Sequence, residues 1–332
     1  MTELNPKQKL NDKLFDADVE QASIRSGFGD GLLMAGEADP QVVALCADLT
    51  ESARAEKFAK AFPERFVQIG VAEQNLASVA SGMAAMGKRP VIISYAMFSP
   101  GRNWEQIRTT ICYNDRPVII AGSHAGVSVG PDGGTHQAIE DLAITRVVPN
   151  LTVIAPCDAL EAKRATIEAA KLGRPVYLRL AREKTPIITT DVSPFKIGKA
   201  NLLWQSKEPA VTIIACGGVV HNALVAAKEL SEKGIGAEVL NLHTIKPIDS
   251  KAIVDSAKKT GAVVTVEEHQ VAGGLGSAVA EVLSGKLPTP IEFIGVHDQF
   301  GQSGTPAELI EHYGIGVSHI VAAAKKAIKR KK

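Results

Sequence analysis

Residues 65–87 read RFVQIGVAEQNLASVASGMAAMG. A short apolar run, RFVQI, meets a single carboxylate, Glu73, and then a series of small and apolar residues at three- and four-residue spacing. The run predicts a strand and the spacing a helix, so the stretch is one strand-to-helix unit with an acid at its turn. No cationic partner for that acid is visible nearby in the sequence. The unit recurs on both sides: VVALCAD (42–48), PVIISYA (90–96), PVIIAGS (117–123), LTVIAP (151–156) and PVYLRLA (175–181) read as strands. Between them SIRSGFGDGLLMAG (23–36), GRNWEQIRTTICYN (101–114) and DALEAKRATIEAAKLG (158–173) carry helical spacing and end in the Gly or Asn favoured at helix C-termini. Strands alternating with helices predict an α/β domain built on a parallel sheet.

The alternation pauses in a segment rich in Thr, Ser, Lys and Pro, read as a linker over 186–207. It resumes with strands AVTIIAC (210–216), GAEVLNL (236–242), AVVTVEE (262–268) and IEFIGV (291–296), and helices HNALVAAKELSEKG (221–234), GLGSAVAEVLSGK (274–286) and PAELIEHYG (306–314). The expected organisation is therefore a parallel-sheet domain with an N-terminal extension over 1–185 and a smaller α/β domain over 208–332. A chain of 332 residues suits two domains of roughly 100 to 200 residues each.

Composition narrows the function classes. With 45% hydrophobic residues, 22% charged residues and a net charge of +1, the chain has the profile of a globular enzyme and not of a nucleic-acid binder or a membrane-surface protein. The basic tail KKAIKRKK (325–332) reads as a solvated helix end. The N-terminal MTELNPKQKLNDKLF lacks the apolar core of a signal peptide, and no window approaches about 18 unbroken apolar residues, so a cytoplasmic location is expected. Cys46, Cys112, Cys157 and Cys216 lie in apolar runs without a C-x-x-C pair and read as reduced core residues.

Ligands of open α/β sheets gather at the carboxyl ends of the strands. The polar residues expected there are Asp48 to Ser52, Glu73, Tyr95 and Phe98, the loop SHAGVSVGPDGGTHQ (123–137) and Arg182. This set holds carboxylates, aromatic faces, two histidines in a Gly-rich loop, and a guanidinium group suited to a phosphate.

The stretches IGVAEQN (69–75), SYAMF (94–98), the run from Ser123 to Ala162 containing GPDGGTHQAIEDLA, and VEEHQVAGGLGSAVAE (266–281) together resemble the C-terminal half of transketolases and of 1-deoxyxylulose-5-phosphate synthases. The resemblance extends from about Ala22 to the end of the chain. It implies a pyrimidine-binding domain followed by a transketolase C-terminal domain, as in one subunit of a split, two-chain enzyme of the pentose phosphate type. The cofactor implied is thiamine diphosphate, with Mg2+ held mainly by an N-terminal partner subunit that carries the diphosphate and metal motif. The implied assembly is a dimer of heterodimers in which this chain also associates with itself.

Residue by residue, Glu73 resembles the carboxylate that bonds the aminopyrimidine ring nitrogen, where burial favours sharing a proton over standing as a hydrated anion. Phe98 resembles the aromatic that stacks on that ring, with Tyr95 beside it, and Asp48 matches a polar position near the cofactor. His124, Asp132 and His136 match residues lining the sugar channel. Arg25, Ser52, His124 and Arg182 match those that grip the sugar's terminal phosphate, although LTESA (49–53) departs from the family's LAPSN. Gly101, beside Pro100, falls where a further aromatic is common, which predicts a more open wall to the pyrimidine pocket. The activity implied is transfer of a two-carbon ketol unit from a ketose phosphate to an aldose phosphate. The alternatives are the matching half of a 1-deoxyxylulose-5-phosphate synthase, a transketolase for unusual sugars, and a silent regulatory paralogue. The beta subunit of a 2-oxo acid dehydrogenase shares the architecture but fits the GPDGGTHQAIED loop poorly.

Two glycine patterns imitate other motifs. GDG (29–31) resembles the start of the thiamine-diphosphate metal motif, but it interrupts a helical stretch and lacks a downstream Asn in AEKFAKAF (55–62), so an ordinary helix is expected. GGLGSA (273–278) partly mimics a dinucleotide fingerprint and reads instead as a tight strand-to-helix turn.

Overall fold

A computed structural model describes residues 3–331. Met1 and Thr2, at the start of the segment read as lacking a signal peptide, and Lys332, the last residue of the basic tail, lie outside the described residues. The chain forms two α/β layers. The first is a seven-stranded sheet in the spatial order Thr244–Lys246, Thr152–Ile154, Val176–Leu180, Ile119–Ser123, Arg89–Tyr95, Val42–Cys46, Phe66–Gln68. All its pairings are parallel except that of Thr244–Lys246 with Thr152–Ile154. Four central strands are buried along their whole length or nearly so, which is why they read as unbroken apolar runs.

The second sheet has six strands in the order Glu3–Leu4, Asn201–Gln205, Gly236–Asn241, Pro209–Ala215, Val263–Gln270, Ile291–Val296. Its first two pairings are antiparallel and the rest parallel. The two layers exchange edges. Glu3–Leu4, from the N-terminal extension, pairs with Asn201–Gln205 in the second sheet, and Thr244–Lys246 closes the edge of the first. Asn201–Gln205 itself falls inside the segment read as a linker. Its Thr, Ser and Lys neighbours obscure a five-residue strand whose partner, Gly236–Asn241, lies some thirty residues on. The four cysteines are free and buried.

The GDG segment lies inside the helix Ile24–Ala38. Its glycines serve packing. A Cβ on Gly27 would stand 1.7 Å from the carbonyl oxygen of Ala159, and one on Gly31 would stand 2.7 Å from that of Lys163, both on the helix Ala159–Leu172. Asp30 between them is spent on an ion pair with Lys57. The basic tail continues the helix Val317–Lys329, where Lys326 and Arg330 both reach Glu292. No helix among the described residues is long and apolar enough to cross a membrane.

The close approach of the two helices sets a testable contrast. Gly27→Ala gains helix propensity yet drives a methyl group into backbone, and is expected to destabilise the chain by about 2 kcal/mol or more. Gly82→Ala, in the helix Glu73–Ala85 with nothing within 4 Å of the added carbon, is expected to stabilise it by about 0.5 to 1 kcal/mol. Urea denaturation of both variants checks the pair; equal effects would contradict the packing account.

Candidate functional site

Chain direction places the site. After Val42–Cys46 the chain adds Phe66–Gln68 on one side, then returns to place Arg89–Tyr95 on the other. The crevice at the carboxyl ends of Val42–Cys46 and Arg89–Tyr95 is therefore a topological switch point, where open α/β sheets bind ligands. Residues 48–54, Tyr95, Phe98 and the loop 123–137 surround it.

Glu73 opens the helix Glu73–Ala85 and is 1% exposed. Ser94 Oγ, at the end of a buried strand, donates to its Oε1 at 3.3 Å, and Asn103 Nδ2 donates to its main-chain carbonyl at 3.0 Å. The expectation of no cationic partner is corrected here: Arg102 Nη1 donates to Glu73 Oε2 at 2.6 Å. The two are 29 residues apart in sequence, and the turn after Arg89–Tyr95 brings them together. The same guanidinium lies 4.7 Å from the centre of the Phe98 ring, within cation–π range. It also bears on the wall expected to be open at Gly101. A Cβ there would stand 1.8 Å from the carbonyl oxygen of Met97, so this backbone has no room for an aromatic, and the next residue, Arg102, covers the Phe98 ring.

Phe98 and Tyr95 lie nearly parallel, with centroids 6.4 Å apart and planes at 22°. His136 meets Phe98 edge-on at 5.5 Å and Tyr95 at 6.1 Å, while His124 packs 3.8 Å from Tyr95. Four residues drawn from two separate stretches thus form one aromatic and imidazole wall.

His124 sits at the far end of that wall, 2% exposed and held in the left-handed region at φ 59°. Arg25 Nη1 approaches its Nε2 at 3.4 Å, and Ser123 Oγ lies 2.8 Å from its Nδ1. A guanidinium can only donate, so Nε2 accepts and the ring proton resides on Nδ1, facing Ser123. Burial, followed by the charges of Arg25, Arg182, His136 and Arg54, pushes the imidazole down to about 3. His124 is therefore neutral at physiological pH, and positive charge at this end comes from the arginines.

Arg25 also donates from Nε to the Arg182 carbonyl at 3.2 Å and from Nη1 to the carbonyl of Ser52. It is the main chain of Ser52, not its hydroxyl, that meets Arg25. Arg182 Nη1 donates to the Val129 carbonyl at 2.8 Å and pairs with Glu183 at 3.0 Å. Burial and the neighbouring charges of Arg54 and Arg182 lower the Arg25 guanidinium from its ordinary value. Asp48 and Asp132 are exposed. Asp48 has φ 60° and its N–H donates to Gln68 Oε1 at 3.3 Å, while Asp132 ends the 3-10 turn Val127–Asp132. Both stand at the rim, outside the hydrogen-bonded groups.

The loop 123–137 is clamped from below by Arg179, which is buried in Val176–Leu180. Its Nε donates to Asp141 Oδ2 at 2.8 Å, and its Nη2 donates to the Glu268 carbonyl at 2.8 Å and the Ala138 carbonyl at 3.3 Å. From above, Ser128 N–H donates to Glu268 Oε2 at 2.9 Å, and Gln137 Nε2 donates to the Val127 and Gln302 carbonyls at 3.0 Å each. The GGLGSA turn is closed to a phosphate. The N–H groups of Leu275 and Gly276 at its helix start already donate to buried Glu267, at 2.7 and 2.8 Å. Among the described residues no group of three or more His, Cys, Asp and Glu is placed to hold a metal ion.

Sequence reading missed Arg102, Arg54 and the positioning residues Ser94, Asn103 and Arg179. Arg102 lies four residues after Phe98 in a turn that precedes the helix Trp104–Gln106, closed by a bond from its N–H to the Phe98 carbonyl at 2.9 Å.

The neutral state of His124 has a thermodynamic consequence. Its folded pKa lies below its unfolded value near 6.5, so its contribution is present above that value and is lost as pH falls towards about 3. The stability advantage of the parent over His124→Gln is expected to shrink by about 3 kcal/mol between pH 7 and pH 4. Urea denaturation across that range checks it, and a pH-independent difference would contradict the assignment.

Comparison with known proteins agrees with this geometry. The sequence matches the transketolase pyrimidine-binding domain over residues 20–187 and the transketolase C-terminal domain over residues 198–320. It is 41% identical to the 6-deoxy-6-sulfo-D-fructose transketolase subunit SqwH of a Clostridium species, over 96% of this chain and 98% of that one. It is 42% identical to a putative transketolase C-terminal section of Methanocaldococcus jannaschii, over 92% and 96%. Against human transketolase it is 35% identical over 98% of this chain and 51% of that enzyme. A solved structure described as a split gene transketolase, inactive beta4 tetramer, superposes with a TM-score of 0.87 at 45% identity, covering 93% of this chain and 99% of that one. The chain belongs to the transketolase family, and its two layers are the family's pyrimidine-binding and C-terminal domains.

Proposed function

We propose that this chain supplies the pyrimidine-side acid and the sugar channel of a thiamine-diphosphate-dependent transketolase, which moves a two-carbon ketol unit from a ketose phosphate to an aldose phosphate. The observation that carries the reading is Glu73: a carboxylate 1% exposed, bonded by Ser94 at the end of Arg89–Tyr95 and by Arg102, whose guanidinium covers the Phe98 ring. The donor set fits an aminopyrimidine. Glu73 offers an oxygen to a ring nitrogen where Arg102 now donates to it, and the support for a flat, hydrogen-bonding ligand is that this planar guanidinium, which a bound ring would displace, meets both Glu73 and Phe98. When bound, the cofactor supplies the carbanion chemistry that ketol transfer requires. Glu73 holds the proton at the pyrimidine nitrogen, with Ser94 fixing its other oxygen. Phe98 and Tyr95 orient the ring, with Asp48 at the rim.

His124 offers a neutral Nε2 as acceptor to a sugar hydroxyl, and His136, on the same aromatic wall, lines the channel together with the exposed Asp132. Arg25 and Arg182 bind the anionic end of the sugar, with Ser52 holding Arg25 through its carbonyl. Relatives are named for 6-deoxy-6-sulfo-D-fructose and for apulose 4-phosphate. This supports a substrate class defined by an anionic tail, and it favours a specialised-sugar transketolase beside the pentose phosphate reading.

Within this reading the diphosphate and Mg2+ are held by an N-terminal partner subunit, with two copies of this chain packed together in a cytoplasmic heterotetramer. Support comes from relatives described as a subunit or a C-terminal section, and from the beta4 assembly described as inactive. The test is reconstitution. The purified chain with thiamine diphosphate and Mg2+ is expected to give no ketol transfer to ribose 5-phosphate, and addition of an N-terminal transketolase subunit is expected to restore it by at least about a hundredfold. Turnover by the chain alone would contradict the two-chain reading, and failure of every N-terminal subunit would favour the silent paralogue.

A further inference from the structure

The cationic end of the site contains a third guanidinium that neither the family resemblance nor the reading above assigns. Arg54 lies in the same loop as Ser52 and is held at φ 64°, in the left-handed region that side-chain-bearing residues rarely adopt. Its backbone is pressed against the helix Ile24–Ala38: a Cβ added to Gly29 would stand 2.2 Å from the Arg54 carbonyl oxygen and 3.0 Å from the Arg54 Cβ. Gly29 is one helical turn beyond Arg25, and Arg25 itself donates to the carbonyl of Ser52, two residues before Arg54. Helix and loop thus fix the starting points of both side chains next to each other.

The Arg54 charge acts on both Arg25 and His124, lowering each. Among the described residues its side chain is exposed and makes no hydrogen bond or ion pair. Arg182 has Glu183 as a partner, but Arg25 spends its guanidinium on carbonyls and a neutral imidazole. The charges of three guanidinium groups, Arg25, Arg182 and Arg54, therefore meet at His124, with one carboxylate, Glu183, among the charges acting on Arg25. Like charges are held together at a cost unless a ligand of opposite charge balances them.

We propose that Arg54 is a specificity-determining residue of the anion site, weighting it towards a doubly charged terminal group, such as a phosphate monoester, over a singly charged one, such as a sulfonate. The inference rests on the reading that this end of the channel receives the sugar's anionic tail. Coulomb energy scales with ligand charge, so removing one cation weakens a dianion by about the square of the factor by which it weakens a monoanion. An exposed guanidinium in water contributes about threefold to a monoanion, hence about tenfold to a dianion.

The experiment measures calorimetric binding of ribitol 5-phosphate, 5-deoxy-5-sulforibitol and ribitol to the reconstituted complex at pH 8, where the phosphate is a dianion. None of these alditols can enter ketol transfer. The variants are Arg54→Asn, which tolerates the left-handed backbone, and Arg54→Lys, which keeps the charge. Arg54→Asn is expected to weaken the phosphate about tenfold and the sulfonate about threefold, leave ribitol unchanged, and be largely rescued by Arg54→Lys. Equal losses for both anions, a matching loss for ribitol, or no loss at all would overturn the inference while leaving the anion site in place. A parent complex that binds neither anion better than ribitol would instead overturn the reading on which the inference rests.

Discussion

Arg179 is the joint on which the site depends. From one buried guanidinium it reaches Asp141 at the start of a short helix, the Ala138 carbonyl at the end of the histidine loop, and the Glu268 carbonyl in the second sheet. Tyr177, two residues earlier on the same strand, donates its hydroxyl to the same Asp141 oxygen at 2.7 Å. The pair Arg179–Asp141 is stripped of water, and a buried ion pair of this kind gains little net stability, though losing either partner costs several kcal/mol. Its contribution here is geometric. It fixes which part of the first domain faces which part of the second, and so sets the position of the loop from Ser123 to Gln137. The second domain acts as a buttress: Glu268 and the carbonyl of Gln302 hold from one side what Arg179 holds from the other.

On that platform the channel has two ends of different character. At the Glu73 end a buried carboxylate and a half-exposed guanidinium meet over an aromatic ring. At the His124 end a neutral imidazole stands among arginines. Tyr95, Phe98 and His136 span the distance between. The division suits a substrate with a reacting head and a charged tail, because binding energy gathered at the tail positions the head without acting on it directly. Neutral His124 is what allows this. As a cation beside Arg25 and Arg182 it would add to the like charge gathered there, whereas the neutral ring presents an acceptor nitrogen.

Much of this was legible in the sequence because the central strands are buried on both faces and so read as plain apolar runs, each followed by the polar residues that the sheet brings together. The histidine loop and the acid at Glu73 carried the family signature in consecutive residues. What escaped reading depends on pairing over long distances. Glu3–Leu4 and Thr244–Lys246 are too short for any period and are strands because of the sheet edge they complete. Arg102 belongs with Glu73 through the path of a turn, and Arg179 looks like an anomaly inside an apolar strand until Asp141 is seen beneath it. The GGLGSA turn shows the reverse case, a motif whose donors are consumed by the chain's own Glu267.

The central claim is that Glu73 governs the protonation of the cofactor's pyrimidine. The most direct measurement is the rate of hydrogen–deuterium exchange at C2 of thiamine diphosphate bound to the reconstituted complex, followed by quenched-flow NMR, for the parent and for Glu73→Gln. The account predicts exchange at least about a hundredfold slower in the variant while the complex still assembles and binds the cofactor. Exchange within about threefold of the parent, with cofactor bound in both, would contradict it.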